Sequence, residues 1–284
     1  MSRRRLLLVH AHPDDETLTT GGTIARYAAS GAEVMVLTCT LGEQGEVIGE
    51  HWAGLVAAEA DQLGGYRVGE LSAALAALGV PGAPRFLGGA GRWRDSGMAG
   101  TAAAEHPRSF VRAGEAAVRV MAEVITQLRP HVVVTYDPAG SYGHPDHVQA
   151  HRVTTAAVEC AAPCWDVPKL YWTVTERSAL AAGIEAMATL PAGWRRPTDD
   201  ELPSVADEQV AAVIDVRAVR EAKLAALQAH ATQVTVAPSA TEYALSNTVA
   251  QPILLAEHYH LARGAAGERG PDGREHDLFA GVAL

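Results

Sequence analysis

Cysteine is scarce: the chain of 284 residues has only Cys39, Cys160 and Cys164. An odd count makes no disulfide framework, so a reducing cytoplasm is the expected compartment. Cys160 and Cys164 have no second cysteine pair to complete a zinc site, and they read as structural thiols. Basic charge is short as well, since 23 Lys and Arg against 33 Asp and Glu leave a formal charge of −10. Phosphate backbones and anionic lipid are gripped by clustered cations. Neither a nucleic acid nor a membrane is therefore an expected partner, and a small neutral or cationic molecule fits better. No apolar run approaches the roughly twenty residues a membrane span needs. Arg3, Arg4 and Arg5 precede LLLV, but that run stops at His10 without a small-residue cleavage site. Two catalytic signatures are missing too. No GxSxG elbow presents a serine nucleophile, and the pyrophosphate fingerprint GxGxxG does not come after the first apolar strand.

That strand opens LLLVHAHPDDETLTTGG, residues 6–22, in which a buried-strand pattern runs into two histidines and three consecutive acids. Further along, short β-rich runs at 5–11, 33–40, 84–88, 131–136 and 169–174 alternate with helical stretches at 17–31, 53–64, 69–78, 109–128 and 219–231. This alternation predicts an α/β fold, a Rossmann-like, mostly parallel sheet flanked by helices. We place the catalytic portion at 1–165 and a smaller α+β portion, completing the pocket, at 166–284. The glycine-rich tail from about residue 265 reads as loosely ordered.

Ligands of open α/β sheets bind beyond the carboxyl ends of the strands. The first strand delivers His10, His12, Asp14 and Asp15 there, and the 131–136 strand delivers DPAGSYGHPDH, residues 137–147. A catalytic zinc takes about three ligands from imidazole or carboxylate and keeps a position open. His12 and Asp15 supply two, and His144 or His147 a third. One carboxylate has to stay off the metal as a general base, which adjacent Asp14 and Asp15 allow. Pro145 fits the first position of a helix, with His144 at its mouth. His151 reads as structural, and His258 and His260 alternate as strand residues on a surface or pocket wall. The loop GGAGRWRDSGM, 88–98, bends toward the pocket, where Arg92, Arg94 or Asp95 can reach a polar substrate.

AHPDDE with a downstream HPDH resembles the LmbE-like family of metal-dependent deacetylases, and within it the branch acting on N-acetylglucosaminyl-inositol in mycothiol biosynthesis. TCTLGEQGEVIG, DQLGGYRVGEL, GGAGRWRDSGMAG, VVVTYDPAGSYGHPDH, VPKLYWTV and LQAHATQV extend the likeness over most of the chain, with about 176–210 departing most. The resemblance implies hydrolysis of the acetamide of a neutral aminosugar-inositol by a metal-activated water. It implies His12, Asp15 and His147 as ligands of Zn2+, with Fe2+ suiting the same donors. It makes Asp14 the base, His144 the group that protonates the amine or stabilises the intermediate, Asp146 the carboxylate orienting His144, and Tyr142 a polariser of the carbonyl. Arg67, Asp95 and Glu46 fall at sugar- or inositol-binding positions. The alternatives are an S-conjugate amidase, a deacetylase of another N-acetylglucosaminide, and a non-catalytic metal-containing sugar-binding module.

Overall fold

After Arg5, every residue of β1 (Arg5–His10) is buried, Leu6 and Leu8 against one layer of helices and Leu7 and Val9 against the other. Burial on both faces is why this strand reads as an unbroken apolar run. In the computed structural model, which describes residues 3–284, β1 lies within a seven-stranded sheet. The chain continues through α1 (Asp15–Ala29), β2 (Glu33–Thr38), α2 (Leu63–Ala77), β3 (Arg85–Phe86), α3 (Gly114–Leu128), β4 (Val132–Tyr136), α4 (Pro145–Ala161) and β5 (Lys169–Val174). The strands so far run parallel in the order β3-β2-β1-β4-β5. Ile24 and Tyr27 of α1 and Leu71 and Leu75 of α2 fill one face, and Met121 and Ile125 of α3 with Val153 and Ala157 of α4 fill the other.

The remainder comprises α5 (Arg177–Ala186), β6 (Ala212–Asp215), α6 (Arg220–Ala229), the short strands β7 (Thr235–Val236), β8 (Glu242–Ala244) and β9 (Gln251–Pro252), and β10 (Ala256–Arg263). β10 pairs antiparallel with both β5 and β6 and so extends the same large sheet, while β7, β8 and β9 form a small antiparallel sheet. The part after residue 165 is thus built onto the first sheet. The α/β, mostly parallel architecture is as expected.

Several local expectations change. In place of a helix at 53–64 there is a 3-10 turn, Glu50–Leu55, and a loop in which Asp61 takes a left-handed φ of 53°. α2 starts at Leu63, and its Gly64 lets Glu43 approach so closely that a Cβ would lie 2.7 Å from Glu43 Cγ. The helix expected from 109 begins at Gly114, after a 3-10 turn at Phe110–Arg112. α5, over RSALAAGIEA, is an element the sequence reading did not assign. The tail is docked, with Leu278 and Phe279 in the core and Glu275 accepting hydrogen bonds from Lys169 Nζ (2.5 Å) and Tyr171 OH (2.6 Å). His258 is buried 3.5 Å from Glu176 and does not line the surface. Among the described residues no helix is long and apolar enough to cross a membrane.

Candidate active site

β1 and β4 are neighbours, and the strand order reverses between them, which opens a crevice where their carboxyl ends emerge. The turn after β1 and the loop from β4 to α4 meet there. His12 Nδ1 lies 3.3 Å and His147 Nε2 3.4 Å from Asp15 Oδ2. The same oxygen accepts hydrogen bonds from the His12 backbone N–H (2.9 Å) and from Tyr136 OH (2.7 Å). Tyr136 also accepts from the Ala11 N–H (2.9 Å) and stacks on His147 at 4.2 Å between ring centroids. Burial pushes the Asp15 carboxyl up, but His147 and His12 outweigh it and hold the group well below the usual carboxylate range.

The other nitrogen of His12, Nε2, is 3.3 Å from Asp146 Oδ2 and 3.6 Å from Asp95 Oδ1. Against the opposing effect of burial, these carboxylates and Asp15 raise the His12 imidazole well above its ordinary value. A carboxylate on the outer nitrogen is what fixes the ring of a ligating histidine. The donor set fits a divalent ion: two imidazoles and a carboxylate, all buried, with neither ring nitrogen of His147 hydrogen-bonded. Buried polar atoms of native proteins rarely lack a partner, and an ion beside Asp15 would supply one at Nε2. Donor atoms of His12, His144 and His147 also lie within 4.8 Å of one another, as do those of His12, Asp95 and Asp146.

Asp14 caps α1 with φ 110° and ψ −37°, a conformation few non-glycine residues adopt. Its carboxylate pairs with Arg67, whose Nη2 is 3.0 Å from Oδ2. Arg67 also donates to Gly42 O (2.9 Å) and to Pro13 O. Gly42, at φ +67°, has to lack a side chain, because a Cβ would fall on that guanidinium. Burial pushes the Asp14 carboxyl up to about 6, with Arg67 pulling down and Asp15 pushing up.

His144 caps α4, with Pro145 next to it, and its Nδ1 accepts the Asp146 backbone N–H at 3.1 Å. The hydrogen of the neutral ring is therefore on Nε2. Burial, then the His12 and His147 rings, push this imidazole down to about 3. Here the expectation for Asp146 is corrected: its carboxylate faces His12 and the Ser96 N–H (2.9 Å), and only its backbone N–H reaches His144. The cap geometry spends Nδ1 on the helix N-terminus, so that nitrogen is held by a backbone N–H and not by the Asp146 carboxylate. Tyr142 stands 56% exposed at the rim, its ring centroid 5.0 Å from His147 and 6.0 Å from His144.

Of the expected substrate contacts, Arg67 and Asp95 are turned inward. Asp95 is buried and accepts the Gly97 N–H (2.8 Å) and the Gln44 N–H (3.1 Å). Burial raises its carboxyl, but His12 outweighs that and holds it well below the usual range. Glu46 is exposed on the loop after β2, and Arg94 pairs with Asp61 at 2.5 Å. Three residues without an expected role belong to the site: Tyr136, Glu16 and His230. Glu16 Oε2 accepts the Asp14 N–H (2.9 Å), and Glu16 Oε1 accepts from His230 Nε2 (2.8 Å). The third acid of AHPDDE was the available signal for Glu16. For His230 the only signal was its place in LQAHATQV, one of the segments that carry the family likeness, with no role attached to it.

Residues 7–158 match the family described as PIG-L: GlcNAc-PI de-N-acetylase. The 1D-myo-inositol 2-acetamido-2-deoxy-alpha-D-glucopyranoside deacetylase of Rhodococcus opacus is 68% identical to this chain and aligned over 99% of both. The protein of that name from Nocardia farcinica is 64% identical, over 98% of this chain and 96% of its own. Among solved structures, GalB, the 4-carboxy-2-hydroxymuconate hydratase of Pseudomonas putida, is similar with a TM-score of 0.58 at 20% identity, covering 94% of this chain and 99% of its own. That likeness concerns the fold alone. A hydratase on this architecture means that the side chains, and not the sheet, select the reaction.

Proposed function

Since the chain belongs to the PIG-L (GlcNAc-PI de-N-acetylase) family, we propose that it hydrolyses the acetamide of 1D-myo-inositol 2-acetamido-2-deoxy-alpha-D-glucopyranoside, releasing acetate and the free amine in the cytoplasmic synthesis of mycothiol. The observation that carries this reading is the 68% identity, over 99% of both chains, to a protein of that name. His12, Asp15 and His147 would hold Zn2+, and the same donors also suit Fe2+. Such an ion supplies Lewis acidity and brings a water's pKa toward neutrality.

The rest falls to the chain's own groups. Asp14, pushed up to about 6, is largely ionised at neutral pH yet basic enough to accept the proton of the attacking water. Tyr142, exposed beside the histidines, donates its O–H to the acetyl oxygen as negative charge develops there. His144 presents a neutral Nε2–H to the reacting amide. With that ring held at about 3, it does not start as an acid, and the proton passed to the departing amine is the one Asp14 collected. Glu46, exposed on the loop after β2, is assigned to sugar or inositol hydroxyls, and buried Arg67 and Asp95 act on the substrate through the groups they hold.

An amine-release assay on metal-replete protein tests this reading, with the inositol glucosaminide, other N-acetylglucosaminides and a cysteinyl amide of the deacetylated sugar as substrates. The highest kcat/KM is expected on the first. Preference for the cysteinyl amide would make the protein an S-conjugate amidase, and release from none a binding module.

A further inference from the structure

We propose that Glu16 and His230 are positioning residues that hold the Asp14 backbone in its left-handed conformation and thereby keep the Asp14 carboxylate off the metal and turned to the reacting water. The inference rests on the reading of Asp14 as the base. With φ 110° and ψ −37°, Asp14 lies outside the basins that residues with a side chain populate. Such a conformation persists only where its surroundings over-determine it. The twist separates two consecutive carboxylates, so that Asp15 Oδ2 faces His12 and His147 while Asp14 Oδ2 faces Arg67.

The Asp14 carbonyl accepts from Thr17 and Leu18 N–H, both at 2.9 Å, as any helix start would. The unusual restraint is on the other side, where Asp14 N–H donates to Glu16 Oε2 at 2.9 Å. Glu16 is 0% exposed, and its second oxygen accepts from Thr17 Oγ1 (2.6 Å) and His230 Nε2 (2.8 Å). A buried carboxylate is expensive unless it is paired, and the partner is delivered from 214 residues away at the end of α6. The turn carrying His230 is itself pinned. His230 O accepts from Gln233 N (2.9 Å) and Val234 N (2.8 Å), and Thr232 donates twice to Glu70 of α2, at 2.8 Å each. Thr232 O also accepts from Ile48 N at 2.9 Å, in the rim loop after β2. If this pair served packing alone, two apolar side chains would serve as well, since buried ion pairs are often replaceable that way without loss of stability.

The test compares metal-loaded full-length variants by kcat, KM, metal content and Tm. The variants are His230→Ala, His230→Gln, the apolar double variant Glu16→Leu with His230→Leu, and Leu227→Ala as a core control on the same helix, buried at 0% exposure. His230→Ala is expected to lower kcat about ten- to hundredfold, the scale of a small misplacement of a catalytic group, with KM and metal content unchanged. His230→Gln, which keeps an N–H donor, restores most of that turnover. Leu227→Ala lowers Tm but not kcat. The double variant stays folded and metal-bound yet slow, and its crystal structure shows Asp14 returned to negative φ. Full turnover in a folded double variant overturns the proposal, as does a His230→Ala loss matched by Leu227→Ala at equal Tm. Asp14→Asn, measured alongside, separates the two readings: undiminished turnover there removes Asp14 as the base, and the positioning role with it.

Discussion

Asp14 and Asp15 are adjacent and both buried, yet their carboxyls move in opposite directions, up to about 6 for one and well below the usual range for the other. Desolvation acts on both. The difference is that Asp15 has two imidazoles within 3.4 Å, whereas Asp14 has one guanidinium and the repulsion of Asp15 itself. Replacing His12, Asp15 or His147 by Ala is expected to lower the metal content of purified protein, read by elemental analysis. Asp14→Asn should keep the metal and lower kcat by about 10²- to 10⁴-fold, the usual contribution of a general base. If Asp14→Asn loses the metal and Asp15→Ala keeps it, the two roles are reversed. Asp146→Asn should weaken metal affinity by about 10- to 100-fold, because its carboxylate holds the His12 ring.

Between elements, the approach of α1 to the segment joining β6 and α6 sets how far the C-terminal part can bring His230. Gly22 in α1 makes that approach possible, since a Cβ there would lie 2.5 Å from Val216 Cβ. The neighbouring amides Gly22 N–H and Thr23 N–H donate to Glu257 of β10 at 2.8 and 2.7 Å. Gly22→Ala would gain about 1 kcal/mol in helix propensity, but overpacking a close contact costs typically about 1–3 kcal/mol. The clash outweighs the propensity, so a lower Tm is expected. Val216→Ala in the same chain should recover part of it, as non-additivity between touching residues requires. Equal or higher Tm for Gly22→Ala alone would mean that the helix shifts freely and that the contact is not tight.

For the molecule as a whole, the tail closes the sheet. Lys169 on β5 and Glu275 in the tail form an ion pair at 2.5 Å, both nearly inaccessible, and Glu275 also accepts from Tyr171 OH and Gly267 N–H. Breaking one side of a buried pair strands the other charge, so Glu275→Ala should cost about 3–5 kcal/mol in denaturant unfolding. A loss within about 0.5 kcal/mol, the range of an ordinary surface substitution, would show that the tail is not integral to the fold. Part of the stability should be sensitive to acid. Burial, then Arg5, lower His131 from its ordinary 6.5, and burial also lowers His258, with Glu176 opposing. Groups with folded values below the unfolded ones contribute stability that is complete above about 6.5 and is lost as pH falls through the folded values. The contribution of these two groups to Tm should therefore fall between about pH 7 and pH 5, while His230, lowered by burial but raised on balance by Glu16, contributes in the opposite sense. His131→Asn, which can still accept the Arg5 N–H now bonded to Nδ1, should flatten part of that slope. An unchanged slope would place the acid sensitivity elsewhere.

The sequence by itself determined whatever depends on neighbours along the chain. The two-sided apolar run of β1, the Pro145 helix start behind His144, and the delivery of His12 and Asp15, and of His144 and His147, to strand ends come from local periodicity and turn chemistry and were legible in it, while the choice of His147 over His144 as ligand rested on the family resemblance. Tertiary structure alone decided where each polar group points. It turned Asp146 to His12, folded Arg67 and Asp95 inward, brought Tyr136 under Asp15, and carried His230 across 214 residues to Glu16. A strand end says that a carboxylate reaches the crevice. Which of several buried donors it then meets is settled by pairing costs summed over the whole core, and no window of sequence contains them.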